Sequence, residues 1–184
     1  HLNKKGLDTV CFNLGGCSGE DNLLLGTYHN GKTEDVDFVV KHLLQNYEYD
    51  NLIIIGFSLG GNLTLKYIGE QSENISHKIK GGIAVSVPID MASAEIEMDR
   101  LKNKLYIELF FKTMKNKILE KAHKFPDYNL DKDLLFKATK FKHLEHLYTV
   151  PVFGFKSPED YWKKASSKPY LSQISKPTLL INAK

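Results

Sequence analysis

Gly56-Phe57-Ser58-Leu59-Gly60 lies between an apolar run, Asn51 to Ile55, and a stretch of helical periodicity from about Gly60 to Ile68 that ends near Gly69. No other feature restricts the folding of this chain as strongly. A strand that enters a helix through so short a turn forces the central residue into a strained backbone, and bulky flanking side chains would strike neighbouring backbone. Glycine at Gly56 and at Gly60 is expected to relieve that clash. The isoleucine-rich run is continuous rather than alternating, the pattern of a parallel strand covered on both faces.

In this context Gly-x-Ser-x-Gly presents the central hydroxyl at the rim of a sheet, as a nucleophile elbow does. Ser58 is therefore expected to be a catalytic nucleophile. The backbone N–H of Leu59 would head the following helix, where an oriented donor and the helix dipole both favour a developing oxyanion. A glycine-rich strand-to-helix turn can instead cradle a phosphate. Neither the Gly-Lys-Ser/Thr of a P-loop nor Gly-x-Gly-x-x-Gly spacing accompanies this one, which favours the nucleophile.

The remaining chain alternates strands with helices, which predicts an α/β fold with a parallel sheet and right-handed crossovers. Asp8 to Asn13 reads as a short buried strand running into the turn-rich stretch Gly15-Gly16-Cys17-Ser18-Gly19. Thr33 is expected to cap a helix whose apolar face carries Val36, Val39, Val40, Leu43 and Leu44. Gly82 to Val87 and Thr178 to Asn182 read as further strands, bounded by Pro88 and Pro177. A last helix is expected from Ser157, with Pro158 at its first position, Asp160 completing a shortened capping box, and Tyr161, Trp162 and Ala165 facing inward. From Met91 to about Tyr148 the pattern is helical and lysine-rich, with apolar Leu101, Leu105, Leu109, Phe110, Met114, Ile118 and Leu119. The expected organisation is a core over residues 1–90 carrying the elbow, a helical cap inserted over 91–150, and a return to the core over 151–184.

Composition narrows the partners. With 184 residues, 42% of them hydrophobic, the chain has the size and composition of one ordinary domain. A formal charge of +3 without a block of like charges argues against nucleic acid as a partner. No apolar stretch approaches the roughly 20 residues that span a bilayer. Cys11 and Cys17 could form a disulfide, a redox pair or two plain thiols; without CxxC spacing, plain thiols in a reducing, cytoplasmic compartment are the expectation. His1 is not a natural start, so residues upstream are out of view.

Several motifs carry a family resemblance. Cys17-Ser18-Gly19-Glu20 with Asn22, Tyr28-His29-Asn30-Gly31, Thr33-Glu34-Asp35 and Gly56-Phe57-Ser58-Leu59-Gly60-Gly61-Asn62 resemble the YheT-like branch of the α/β hydrolases. So do Glu97-Met98-Asp99, Gly154-Phe155, Asp160-Tyr161-Trp162 and Pro177 to Ala183, and the similarity covers essentially the whole chain. It implies an α/β-hydrolase fold with an inserted helical cap, and a serine esterase or lipase-like enzyme acting on carboxylic esters, often of medium-chain or lipid-derived acyl groups, through an acyl-enzyme and without cofactor or metal. By the same resemblance the relay aspartate and histidine would follow Lys184, and the second oxyanion donor would precede His1. The segment alone is then expected to be nearly inactive, with a gap inside its sheet where the family's third strand lies between the strands matching 8–13 and 51–55. Gly15 stands where the family usually has an arginine. Transfer of the acyl group to an alcohol, or a non-catalytic binding protein that retains the elbow, are the alternatives.

Chain order sets aside His29, His42, His77, His123, His143 and His146 as the catalytic base, since in this fold the histidine follows the acid and the last strands. A loop-stabilising hydrogen bond is expected of His29. Asp90, just past a strand end, is a secondary candidate for the acid. His143, Glu145 and His146 have donor atoms for a metal but read as a solvated face of the cap. The apolar cap positions could line an acyl pocket or pack on the core. Its lysines suit an anionic membrane surface, yet the interspersed Glu and Asp read as ordinary solvation, so peripheral membrane contact has no support.

Overall fold

The computed structural model describes residues 2–100 and 103–183. Strand β1, Leu52–Phe57, pairs in parallel with β2, Ile79–Val85, which pairs in parallel with β3, Thr178–Ile181, in the order β1-β2-β3. Helix α1, Thr33–Asn46, precedes β1, and α2, Leu59–Gln71, connects β1 to β2. Val36 and Val40 of α1 meet Leu63, Tyr67 and Ile68 of α2 and Ile79 of β2 in one buried cluster, against which Leu52 and Ile54 of β1 pack. A helix laid along a parallel sheet buries one apolar stripe against one face of the pleat, and this is the face that carries the core.

Three sequence expectations are corrected here. Residues 8–13 form no strand, and Val10 and Phe12 are exposed; a lone extended segment gains nothing from β geometry without a ladder partner, and none lies beside it among the described residues. Strand β1 is covered on one face only, since Ile53 and Phe57 are 59% and 69% exposed. Thr33 opens α1 rather than capping it, because its hydroxyl donates to Glu70 of α2 at 2.6 Å and is spent on joining the two helices.

Between β2 and β3 the chain is helical. Asp90 caps α3, Met91–Met98, by accepting from the Ser93 N–H at 3.2 Å. The long α4, Lys104–Lys124, and α5, Lys132–Lys137, follow, the latter capped by Asp131. Ile107, Phe111 and Ile118 of α4 are buried with Leu135, Leu144 and Tyr148, so the cap has a hydrophobic core of its own; Leu101 lies outside the described residues. Helix α6, Phe141–Leu144, widens into a π-helical turn, Glu145–Thr149, before α7, Val150–Phe153. Pro151 supplies a cause: it has no N–H to continue the α-helical ladder, and the Leu147 carbonyl instead accepts from the Tyr128 hydroxyl. Ser157 caps α8, Pro158–Ala165, by accepting from the Asp160 N–H at 3.2 Å. The returning bond of the expected capping box comes from Lys156, whose N–H donates to Asp160 at 3.0 Å. Tyr161 and Ala165 are buried and Trp162 is partly so, the inward face expected from sequence.

Candidate active site

Ser58 stands between β1 and α2 with φ 49 and ψ −117, a conformation that L side chains seldom adopt. Its N–H donates to Val85 O at 2.8 Å and its carbonyl accepts from Asn62 N–H at 3.1 Å, so both sides of the turn are tied down. The side chain is exposed at the end of the strand rather than packed inside. A Cβ at Gly56 would lie 2.1 Å from Gly60 O, so the turn closes only because Gly56 lacks one. Gly60 has no such need, since a Cβ there meets nothing within 4 Å; its part in the close approach is its carbonyl. Gly61 was not singled out from sequence, yet a Cβ there would meet Val87 Cγ2 at 2.4 Å. Leu59 is the first residue of α2, where a backbone N–H has no acceptor within the helix.

A cavity of about 600 Å³ opens at Ser58. Leu59 and Ser86 line it beside Ser58, and Phe110, Met114 and Ile118 of α4 supply an apolar wall. Of the apolar cap positions, Phe110, Met114 and Ile118 line this space, Met114, Ile118 and Leu119 pack in the cap's own cluster, and Leu109 is exposed. Facing them are Glu95 of α3, Glu145 and Tyr148 of the π-turn and Trp162 of α8. An apolar cleft with a few convergent polar groups is the usual form of a small-molecule site.

Glu145 was expected on a solvated face but is 8% exposed, its carboxylate accepting from Trp162 Nε1 at 2.6 Å. Its pKa is pushed up to about 8, first by burial and then by the neighbouring Glu95 charge. Glu95 accepts from the Lys142 N–H at 2.7 Å, and burial raises it to about 7. Sequence reasoning missed this acidic pair because the widening of the helix at 145–149, which turns Glu145 inward, leaves no mark in the 3.6-residue period.

His29 lines the same cavity, and its Nδ1 accepts from the Gly31 N–H at 3.2 Å, the loop bond expected of it. Phe153, Phe155 and Tyr161 surround the ring edge-on or nearly so. Burial, with Lys32 and Lys66 adding repulsion, lowers its pKa to about 4, so the imidazole is neutral at pH 7. Among the described residues no histidine is hydrogen-bonded to Ser58. His42, His77, His123, His143 and His146 are not among the residues lining the cavity. Asp90 is held by Lys168 Nζ at 2.8 Å and then by the Ser93 N–H of its own helix, which lower its pKa in that order, and it does not line the cavity either. Cys11 and Cys17 are free, exposed thiols.

Asn62 passed unremarked except as part of a motif. Fully buried behind the elbow, its Nδ2 donates to Asn30 O and Ala165 O, each at 2.8 Å, and its Oδ1 accepts from Ser167 N–H at 2.9 Å. One side chain thus ties the elbow helix to the loop of His29 and to the end of α8.

A parallel sheet whose first strand turns through a strained serine into a covering helix, under a helical cap, is the architecture of an α/β hydrolase. The chain belongs to that family: the model for the alpha/beta hydrolase fold matches residues 1–184. It is 26% identical to YheT of Escherichia coli (strain K12) over 98% of this chain and 53% of that protein. Identity is 28% to the phospholipase ABHD3 of Mus musculus over 100% of this chain and 44% of the relative. To the monoacylglycerol lipase of Saccharomyces cerevisiae (strain ATCC 204508 / S288c) it is 27%, over 98% and 41%. The chain thus spans about half the length of these curated relatives. No solved structure matches it.

Proposed function

We propose that the protein is a carboxylic ester hydrolase in which Ser58 Oγ attacks the ester carbonyl, the Leu59 N–H helps hold the oxyanion, and water releases the acyl-enzyme. The observation that carries this is the strained Ser58, fixed by Val85 and Asn62 and exposed to a largely apolar cavity of about 600 Å³. Strain of this kind persists only where surrounding bonds over-determine it, as the two backbone bonds do here. The relatives' names support an ester substrate, since one is a phospholipase and another a monoacylglycerol lipase. The wall of Phe110, Met114 and Ile118 suits an acyl chain. The family resemblance supports a relay acid and base drawn from residues that follow β3 in the full-length protein. The test uses the full-length protein with a fluorophosphonate probe and a short-chain p-nitrophenyl ester. Labelling at Ser58 is expected, with Ser58→Ala lowering turnover by at least about 10³-fold. Undiminished hydrolysis by that variant, or no labelling, would reject Ser58 as nucleophile.

A further inference from the structure

Ser86 directly follows β2 and has φ 53, one of three serines with positive φ among the described residues. Of the other two, Ser72 closes α2 and does not line the cavity, whereas Ser58 is the elbow itself. Phe57 is paired with Val85 in the last rung of the β1–β2 ladder, so Ser58 and Ser86 are the first residues beyond it on adjacent parallel strands. Adjacent strands lie about 4.8 Å apart. Both serines are exposed and both line the same cavity. The backbone around Ser86 is fixed on either side, its N–H donating to Ile181 O at 2.7 Å and the Val87 N–H to Asn182 Oδ1 at 2.8 Å.

The turn at Ser86 has a packing purpose, because it sends Val87 into a buried cluster with Leu65 and Ala84. Glycine would make that turn without strain. Packing therefore accounts for the bend but not for the hydroxyl, whose Oγ has no hydrogen-bond partner among the described residues. A donor without a protein partner, held at a strained position one strand from the nucleophile, points to the substrate as its partner.

We infer that the Ser86 hydroxyl contacts the substrate, donating a hydrogen bond to the alcohol-side oxygen of the ester that Ser58 cleaves. The inference rests on Ser58 as the nucleophile. Two donors then flank the reacting carbon, Leu59 N–H from the helix side for the carbonyl oxygen and Ser86 from the neighbouring strand for the alcohol oxygen. Ser58 Oγ forms the new C–O bond and the carbonyl pair moves onto its oxygen. On collapse the bond to the alcohol oxygen breaks, that oxygen keeps the pair, and it takes back the proton that the base removed from Ser58. Ser86 keeps its own proton and stabilises charge as it builds on the departing oxygen. Sulfur is a weak acceptor, so this contact selects oxygen esters over thioesters.

The full-length protein, with Ser86→Ala and Ser86→Gly variants, is assayed on ethyl butyrate and on the matching S-ethyl thioester. Both variants are expected to lose roughly tenfold in kcat/KM on the oxygen ester, the effect of one hydrogen bond made in the transition state. On the thioester they lose less than about twofold. Ser86→Gly also raises the thermal midpoint by relieving strain. Equal losses on the two esters, or full oxygen-ester activity in Ser86→Gly, overturn the inference while leaving Ser58 in place. Hydrolysis that survives Ser58→Ala removes the premise, a result distinct from either.

Discussion

At the scale of single residues the elbow depends on one missing Cβ. Gly56 faces backbone atoms of Gly60 and Gly61, at 2.1 to 2.5 Å from where a Cβ would sit, and backbone held by the sheet and by α2 cannot give way. Gly56→Ala is expected to destabilise the full-length protein by at least about 3 kcal/mol. Gly60→Ala, with nothing within 4 Å and a helical backbone, is expected to change stability by less than about 1 kcal/mol, on the stabilising side. Urea unfolding of both variants tests the pair, and equal destabilisation would show that the close approach is misplaced. The motif Gly-x-Ser-x-Gly was legible because it names residue types in chain order. Which glycine is sterically obligatory was not, because that depends on which Cβ direction meets a carbonyl across the turn.

At the scale of elements, the cap is held to the loop before α1 by polar ties. Lys121 of α4 is 2% exposed, and its Nζ donates to Asn22 O at 2.8 Å, to Asn22 Oδ1 at 2.8 Å and to Leu24 O at 2.7 Å. Asp21 adds an ion pair at 2.8 Å, and Lys121 with Lys124 holds the Asp21 carboxyl down to about 2. Lys121→Met keeps the length of the stem but removes the charged donor from both oxygens of half-buried Asn22 and from the Asp21 carboxylate, while Leu24 O keeps the Asn22 Nδ2 donor at 3.2 Å, an expected loss of about 2 kcal/mol. Amide hydrogen exchange should then rise first in residues 21–25, and an unchanged protection pattern there would refute the tie. Lys121 read from sequence as one of many solvated lysines, and no periodicity could have marked it, since its partners lie 97 and 99 residues away. Helices α1 and α2 and the three strands were legible for the opposite reason, as the signal for each lies within its own residues. Residues 8–13 carry an equally good local signal yet form no strand, because a strand is completed only by its neighbour.

At the scale of the whole molecule, the sheet rim, α4 and the segment 145–162 enclose one cavity whose charge depends on pH. Glu145 and Glu95 have folded pKa values raised to about 8 and about 7 above an ordinary value of 4.5. For an acid raised on folding, the native state holds the proton that the unfolded chain releases. Its contribution to stability is complete below the unfolded value and is lost as pH rises through the folded one. His29 acts in the other direction, because its folded pKa falls to about 4 from 6.5, so its burial costs stability in acid and ceases to do so above about pH 6.5. From about pH 4.5 the unfolded chain releases both carboxyl protons that the native state keeps, so the two acids outweigh the single His29: stability should fall from about pH 4.5, more steeply once the His29 penalty has faded near pH 6.5, and level off above about pH 8. Glu145→Gln separates these effects: the amide oxygen still accepts from Trp162 Nε1, but nothing titrates. Between about pH 5 and 8 the unfolding midpoint of the parent protein is expected to fall relative to that of Glu145→Gln, and the two should converge below about pH 5. Parallel curves across this range would mean that Glu145 is ionised at neutrality and that the cavity carries its charge permanently. The cavity would then be anionic at neutral pH, and burying an apolar acyl chain there, as the proposed function requires, would cost more than in a neutral one.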